Sequence, residues 1–426
     1  MPVINIQEDE AKRFAAFDAT ENTVLIPMLY CRSFDSDSTE QIVYTESDDR
    51  AIKFTNYSDF ITRFSGKVAT VEGKNDKTYT MAKDLLLQGL NVVIKPIFFD
   101  SAEIVVTPES TQVKNKSIEL DEAYAILDGA ISNGILDEFK NKNIFNIKFI
   151  TSGAYANAGK LLEDDETALE LVSYKNLQSI AESRGDAIAL VELREIFTSE
   201  DKLIEQANSV ESSNFAAAFF PWCECSTIDG ALEMPASYCY LMAYAKSVKK
   251  NADWFAAAGV TRGVVPGLVK PLFDVGESLM HILQGDPGFV PTSIMINPVY
   301  NAGAYGYKIW GNRVTNGIRY GEQDEYRDFL NVRILVCDIV KQVYHAAIRT
   351  TFEPNDDIAW INFKTLVNDQ LERMKSGRGI SWYKWAKLVT TEKAAIKAVL
   401  TIKPIEAVES FDITVVLTEE DATVEE

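Results

Sequence analysis

Histidine, the side chain that most often does acid–base chemistry at neutral pH, is scarce in this chain of 426 residues. There are two, His281 in SLMHILQG and His345 in an amphipathic segment. A Ser/His/Asp or Cys/His arrangement needs an imidazole beside a nucleophile, and neither position belongs to a motif that supplies one. The acidic side chains number 63, which is too many to single out a paired-acid site. We therefore predict no catalytic residues.

Cysteine is the other candidate for chemistry, and the five cysteines are few for this length. A metal site would have to combine Cys223, Cys225 and Cys239, but no second Cys or His pair lies at a spacing typical of zinc. An odd, sparse set of cysteines favours free thiols in a reducing compartment over a disulfide framework. We predict no metal, no cofactor and no disulfide.

The segment TSGAYANAGKLL follows a strand, as a phosphate-binding loop would. Gly153 and Gly159 are separated by five residues rather than four, however, and Leu161 stands where a Ser or Thr would hold magnesium. GAYGYKIWG is also rich in glycine, but nothing marks it as a dinucleotide turn. Neither segment predicts a nucleotide site.

The formal charge of −21 disfavours binding to nucleic acid or to anionic lipid. The charge is uneven: residues 404–426 hold eight acids and no base, whereas residues 361–400 hold eight Lys/Arg against three Asp/Glu. No run of about 18 apolar residues exists, and the N-terminus is acidic where a signal peptide is basic. We expect an unsecreted, soluble protein without membrane insertion.

Helical and apolar segments alternate through the first half of the chain, which predicts an α/β domain with a largely parallel sheet. The helical patterns cover residues 81–88, 118–140 and 161–184, and Ser58 can cap a short helix that contains Phe60 and Phe64. The strands that we assign are ENTVLIPMLYCRS, NVVIKPIF, NIFNIKFIT, DAIALVEL and NFAAAFFPW.

Further helices follow at 235–249, 332–347 and from Trp360 to Met374, with ADWFAAAGVTRGVVPG as an irregular loop between the first two. Two strand-like segments lie near the chain ends. VINI contributes Val3, Ile4 and Ile6, and VESFDITVVLT alternates so that one face carries Phe411, Ile413, Val415 and Leu417. These segments can serve as extended arms.

Several unusual motifs occur in a fixed order over most of the chain. They are SDF at 58–60, MAKDLLLQGLNVVIKPI, PW at 221–222, PAS at 235–237, ADWFAAAGVTRG, YGYKIWGNRVT, LNVRILVCDIV, FEPND, Trp360, the helix through Met374 and VESFDITVVLT. Each motif alone is weak, but the ordered set resembles the tail sheath proteins of contractile bacteriophages. That family's usual Pro-Gly-Val-Tyr start is absent here.

The resemblance implies a structural subunit that stacks as rings of six around a tail tube and contracts to drive the tube through a host envelope. Its implied partners are further copies of itself, the tube protein, and baseplate and tail terminator proteins. The implied location is the virion, after assembly in the host cytoplasm. The same resemblance covers the sheath of a bacterial tail-derived contractile injection system. A hydrolase or a nucleotide-binding enzyme is the alternative of a different class.

The resemblance also implies a fold that is α/β in its centre and α+β overall, with a subtilisin-like central domain that lacks the catalytic triad. The predicted regions are an arm at 1–22, an α/β region at 23–100, the central domain at 101–305, an α+β domain at 306–410, and a strand arm with an acidic tail at 411–426. We expect both arms to add strands to neighbouring subunits. The candidate tube-facing cations are Lys364, Arg373, Lys375, Arg378, Lys384 and Lys387.

Overall fold

The structure is a computed structural model of the chain. It describes residues 21–31, 50–64, 68–99, 102–107, 110–115, 117–160, 170–193, 199–286, 289, 292–316, 328–389, 395–405 and 407. The predicted arm residues Val3, Ile4, Ile6, Phe411, Ile413, Val415 and Leu417 lie outside this part of the chain.

The strands are β1 Thr23–Cys31, β2 Ile52–Phe54, β3 Thr70–Val71, β4 Lys74–Asn75, β5 Asn91–Phe99, β6 Ala102–Thr107, β7 Ser110–Asn115, β8 Phe149–Ile150, β9 Gly159–Lys160, β10 Glu170–Leu171, β11 Ile188–Glu192, β12 Ala216–Phe220, β13 Cys223–Thr227, β14 Gly230–Met234, β15 Leu268–Pro271, β16 Ile296–Asn301, β17 Tyr307–Ile309, β18 Ile380–Leu388 and β19 Lys397–Pro404. The α-helices are α1 Tyr57–Phe64, α2 Lys77–Leu87, α3 Leu120–Ser132, α4 Ser173–Arg184, α5 Glu200–Ser209, α6 Ala236–Val248, α7 Gly259–Arg262, α8 Glu277–Gln284, α9 Leu330–Thr350 and α10 Asp357–Ser376.

An eight-stranded sheet forms the body, in the order β17-β16-β12-β11-β8-β1-β5-β2. The six strands from β16 to β5 are parallel, and β17 and β2 are antiparallel to their neighbours at the two edges. Successive side chains of a strand point to opposite faces, so β1 places Ile26 in one apolar cluster with α2 and α6, and Leu25 in another with α4, α5 and α8. Helices therefore cover both faces, and the prediction of a mixed α/β fold with a largely parallel sheet is confirmed.

Two helices begin earlier than the sequence predicts, because each is capped by a residue further upstream. Asn56, not Ser58, caps α1, since its Oδ1 accepts from Asp59 N at 2.8 Å. Helix α2 begins four residues before the predicted start, because Asp76 Oδ1 accepts from Thr78 N at 3.0 Å. Buried polar residues in its first turn hide the helical periodicity.

Two longer helical patterns are also corrected. The pattern at 118–140 divides into α3 and a single 3₁₀ turn, because Gly134 adopts a φ of +85° after α3 ends. Within the described part of the pattern at 161–184, which begins at residue 170, helix α4 starts at Ser173. There Asp128 Oδ1 on α3 accepts from both Val172 N and Ser173 N at 2.9 Å, which is a cap from a distant part of the sequence.

Candidate functional site

The last two helices and a β-hairpin form one packed unit. Buried apolar side chains of α9 and α10 share a cluster with Trp254 and Ile380. Strand β18 lies along α10, because Tyr383 Oη donates to Glu372 Oε1 at 2.7 Å and Trp385 Nε1 donates to Asn368 Oδ1 at 2.9 Å. The hairpin is thus fixed on one face by α10.

The opposite face of the hairpin is exposed. Its side chains, paired across β18 and β19, are Trp382 with Lys403, Lys384 with Thr401, Ala386 with Val399, and Leu388 with Lys397. Trp382, Val399 and Leu388 are between 44% and 47% exposed. Exposed apolar side chains that are surrounded by polar ones mark an interaction site when they form a contiguous patch.

Both edges of the hairpin are open within the described residues, since β18 and β19 pair only with each other there. An exposed strand edge presents unpaired N–H and C=O groups, and these accept a strand from another chain.

Residues 380–404 were not assigned as strands from the sequence. Their period-two signal is weak because large apolar side chains and lysines occur on both faces.

A second exposed apolar region lies where α9 turns into α10. Phe352, in the FEPND motif, is 89% exposed at a φ of +72°, and Ile358 is 67% exposed. An open groove of about 750 Å³ adjoins Phe352, with Trp360, Phe363 and Trp385 among its lining residues. A bulky residue at positive φ stores strain without burying its ring, which points to a contact outside the chain.

The six candidate cations do not form one continuous face. On α10, Lys364 and Lys375 fall on one side and Arg373 on the opposite side, because a helix turns about 100° per residue. On β18, Lys384 lies on the exposed face, whereas Lys387 Nζ lies 3.2 Å from Asp357 Oδ1.

The sixth cation, Arg378, lies in the turn between α10 and β18 with a φ of +62°. The assignment of all six to a tube surface stays a prediction.

The crevice where a doubly wound sheet usually binds a ligand lies between β1 and β8, and protein atoms fill it. Residues 151–158, which follow β8, are all buried. Their polar atoms bond within the protein: Ala154 N donates to Thr78 Oγ1 at 3.1 Å, and Tyr155 Oη donates to Asp76 Oδ1 at 2.8 Å. Burial raises the pKa of the Asp76 carboxyl to about 6, although the hydrogen bonds that it accepts from Thr78 and Tyr155 act in the opposite direction.

The histidine and cysteine side chains that were candidates for chemistry lie among other protein groups. His281 lies on α8 with its Nδ1 2.9 Å from Asp286 Oδ2, and His345 lies on α9, where burial lowers its pKa. Cys223, Cys225 and Cys239 are buried free thiols, with 3.7 Å between the sulfurs of the last two. Among the described residues, no group of His, Cys, Asp and Glu has the arrangement of a metal site.

Within the described ranges, no helix has both the length and the apolar character needed to cross a membrane. Comparison of sequences finds no family model that matches the chain. No curated protein matches it by sequence either.

Comparison of structures finds proteins with a similar fold. A chain of the PVC extracellular contractile injection system, from its sheath complex in the contracted state, has a TM-score of 0.62 at 14% identity and is matched over 99% of this chain and 98% of that one. A chain of the anti-feeding prophage baseplate in the contracted state has a TM-score of 0.63 at 14% identity, with 99% of each chain covered. A chain of the six-fold symmetrised baseplate of that prophage has a TM-score of 0.61 at 15% identity, with coverages of 98% and 99%. This chain therefore has, over its full length, the fold of proteins from contractile injection systems.

Proposed function

We propose that this protein is the structural subunit of a contractile sheath, which polymerises as stacked hexameric rings around a tail tube and contracts to drive the tube through a cell envelope. The observation that carries the proposal is the β18–β19 hairpin, whose two edges are open among the described residues, in a chain with a contractile-system fold. The ordered sequence motifs support the same function.

The linkage between subunits in this proposal is strand addition. Residues 3–6 and 411–417 of two neighbouring copies pair with the hairpin edges of a third copy. Main-chain hydrogen bonds give these links strength, and the alternating face of Phe411, Ile413, Val415 and Leu417 sets their register. Such head-to-tail contacts do not close on themselves, so they generate a helical array.

Contraction requires that two packings of the same subunit differ in free energy. Two packings of one sequence can differ by roughly a few kcal/mol per subunit, and that difference sums over many copies. Flexible strand links let rigid bodies move relative to each other without separating. The regions at 1–22, 23–100, 101–305, 306–410 and 411–426, and the subtilisin-like character of the central one, belong to this proposal.

The remaining partners are proposed on the same basis: they are the tube protein, the baseplate proteins and the terminator protein. The proposed site of assembly is the host cytoplasm, and the proposed final location is the virion. The sheath of an injection device is a second candidate, since structural relatives of this chain come from the PVC system and the anti-feeding prophage. The genes beside this one distinguish the two, because capsid genes accompany only the phage.

Truncation tests the strand links. A chain that ends at residue 410 loses the 411–417 segment and should remain folded and soluble without forming cylinders in negative-stain electron microscopy. A chain that ends at Thr418 keeps the segment and serves as the control. Normal cylinders from the shorter chain would exclude this segment as a link.

Charge reversal tests the tube contact. Complementary charge sets register between surfaces, so Arg373→Glu, Lys375→Glu and Arg378→Glu together should prevent the sheath from enclosing tubes while circular dichroism stays unchanged. The control reverses Lys175 and Lys270, two exposed cations on the body. Unchanged enclosure of tubes by the triple variant would remove these residues from the tube surface.

A further inference from the structure

Three arginines from separate parts of the chain line one groove of about 630 Å³ at the base of the hairpin. Arg262 belongs to α7, Arg313 follows β17, and Arg378 lies between α10 and β18. The first two belong to the motifs GVTRG and IWGNR. The proposed strand links do not involve these motifs. No Asp or Glu is among the described residues that line this groove.

The arginines are held in place by the protein. Arg262 Nε donates to Ala256 O at 2.8 Å, which uses one of its five N–H groups, and its guanidinium lies 5.3 Å from the Phe255 ring centre. The Arg313 guanidinium lies 4.3 Å from the centre of the Phe329 ring. Stacking on the Phe255 ring orients the Arg262 guanidinium, while N–H groups at its edge stay able to bind an anion.

Arg378 is held by backbone geometry. It adopts a φ of +62° between two glycines that pack against Trp254, where a Cβ on Gly377 would lie 2.7 Å from Trp254 Cζ2. An arginine at positive φ is strained, and glycine would suit the position better. The side chain is therefore retained at a cost to the stability of the turn.

An arginine-lined groove is unusual on a chain with a charge of −21, and its lining complements an acidic segment. Residues 408–426 of this chain contain seven acids and no base, and five of the acids fall within residues 419–426. Ile405 and Ala407 line the groove, so the chain leaves the described residues at its rim.

The acidic residues that fill the groove could come from the same chain or from a neighbouring copy. The length of the chain after Ala407 bears on which of the two is in reach. Eleven residues lie between Ala407 and Glu419, and residues 411–417 among them span about 23 Å when extended. If that segment lies on the hairpin of a neighbour, the acidic end of the same chain arrives beside the neighbour's hairpin. The groove at the base of that hairpin is then within reach.

We propose that the groove lined by Arg262, Arg313 and Arg378 binds the acidic residues 419–426 of a second copy of this chain, through Arg262 and Arg378. The inference rests on the proposed strand links. It adds a charge contact that stabilises each link once the strands are paired in the correct register. Each pair is a charge-assisted hydrogen bond near the surface, so salt weakens it, over a Debye length of about 10 Å at 0.1 M.

Photo-cross-linking with mixed isotopes tests the contact. Full-length chains, half of them labelled with ¹⁵N, carry a photoreactive residue at position 423 and are irradiated at low and at high salt. Mass spectrometry then identifies which peptides are joined, and electron microscopy of the same sample records cylinders. The expected result is cross-links between labelled and unlabelled chains at peptides that contain Arg262, Arg313 or Arg378, and fewer of them at high salt.

The variant Arg378→Gly removes one charge and suits the backbone, so it should fold normally and lower the yield of these cross-links about tenfold, as the loss of one charge-assisted bond predicts. Lys270→Ala removes an exposed cation of the body that does not line the groove, and it should leave the yield unchanged. An unchanged yield in Arg378→Gly would contradict the inference.

Cylinders without cross-links at the groove, or with cross-links only within one chain, overturn the acidic contact and leave the sheath function standing. The absence of both cylinders and cross-links at every protein concentration overturns the two proposals together.

Discussion

At the scale of single residues, buried charges fasten the C-terminal helices to the body. Lys148 Nζ lies 2.6 Å from Asp253 Oδ2 and 3.0 Å from Asp338 Oδ2, and all three side chains are almost completely buried. Burial alone would lower the pKa of Lys148, but Asp338 and Asp253 together raise it well above its ordinary value. The lysine is therefore charged at every physiological pH.

Replacing this lysine should leave two buried carboxylates without their partner. We expect Lys148→Met to lower the free energy of unfolding by about 3–5 kcal/mol, as for other broken buried ion pairs, and urea denaturation followed by fluorescence measures it. Lys175→Met, which removes an exposed partner of Glu211, is the control and should not shift the midpoint. Equal midpoints for the two variants would mean that the buried cluster does not fasten α9 to the body.

Glu192 predicts a pH dependence of stability. Its carboxylate accepts from Ser237 N at the start of α6, and burial raises its pKa from an ordinary value of 4.5 to about 8. Between these two pH values the folded chain keeps a proton that the unfolded chain has lost, so stability falls as the pH rises, by at most about 1.4 kcal/mol per pH unit.

The neutral variant Glu192→Gln should lose this part of the pH dependence. Urea midpoints measured at pH 5 and pH 8.5 should therefore differ less in the variant than in the unchanged protein. Parallel pH profiles would show that Glu192 ionises normally in the folded chain.

At the scale of elements, the exposed corner between α9 and α10 carries backbone strain at Phe352, and a variant there can test whether this residue is needed for assembly. Phe352 buries little within the chain and adopts a φ that glycine prefers. We expect Phe352→Gly to keep or raise the free energy of unfolding, by about 1 kcal/mol, and to impair the growth of cylinders, measured by light scattering.

Tyr305→Ser removes another exposed aromatic side chain, on a 3₁₀ turn of the body, and provides the matched control. Growth of Phe352→Gly at the normal rate would show that the ring lies outside every subunit contact.

The elements also show what local sequence can predict. The strands β5, β11 and β12 and the helices α6, α9 and α10 were predicted within a few residues, because each carries a clear apolar pattern or a proline at its start. The start of α4 was not predictable, since its cap is Asp128, which lies 44 residues from Val172. The hairpin was missed because its exposed face is also apolar, and the buried charges of Lys148 depend on contacts that only the fold creates.

At the scale of the whole molecule, the fold is retained where sequence similarity is low. The structural relatives share 14–15% identity with the chain, yet they cover nearly its full length. Two glycines of the ordered motifs pack closely against backbone atoms: a Cβ on Gly263 would lie 2.4 Å from Ile309 O, and one on Gly311 would lie 2.7 Å from Asn297 Cα. Such positions fix how loops join the sheet. They can therefore be recognised in a sequence even where overall identity is low.

The central claim is that each copy lends strands to the β18–β19 hairpins of other copies in an ordered array. Cryo-electron microscopy of the concentrated full-length protein tests it most directly. The account predicts hollow cylinders of six-fold rings in which residues 411–417 of one copy pair with a hairpin edge of another. Ordered cylinders with both hairpin edges unpaired, or particles that remain single copies at every concentration, would contradict it.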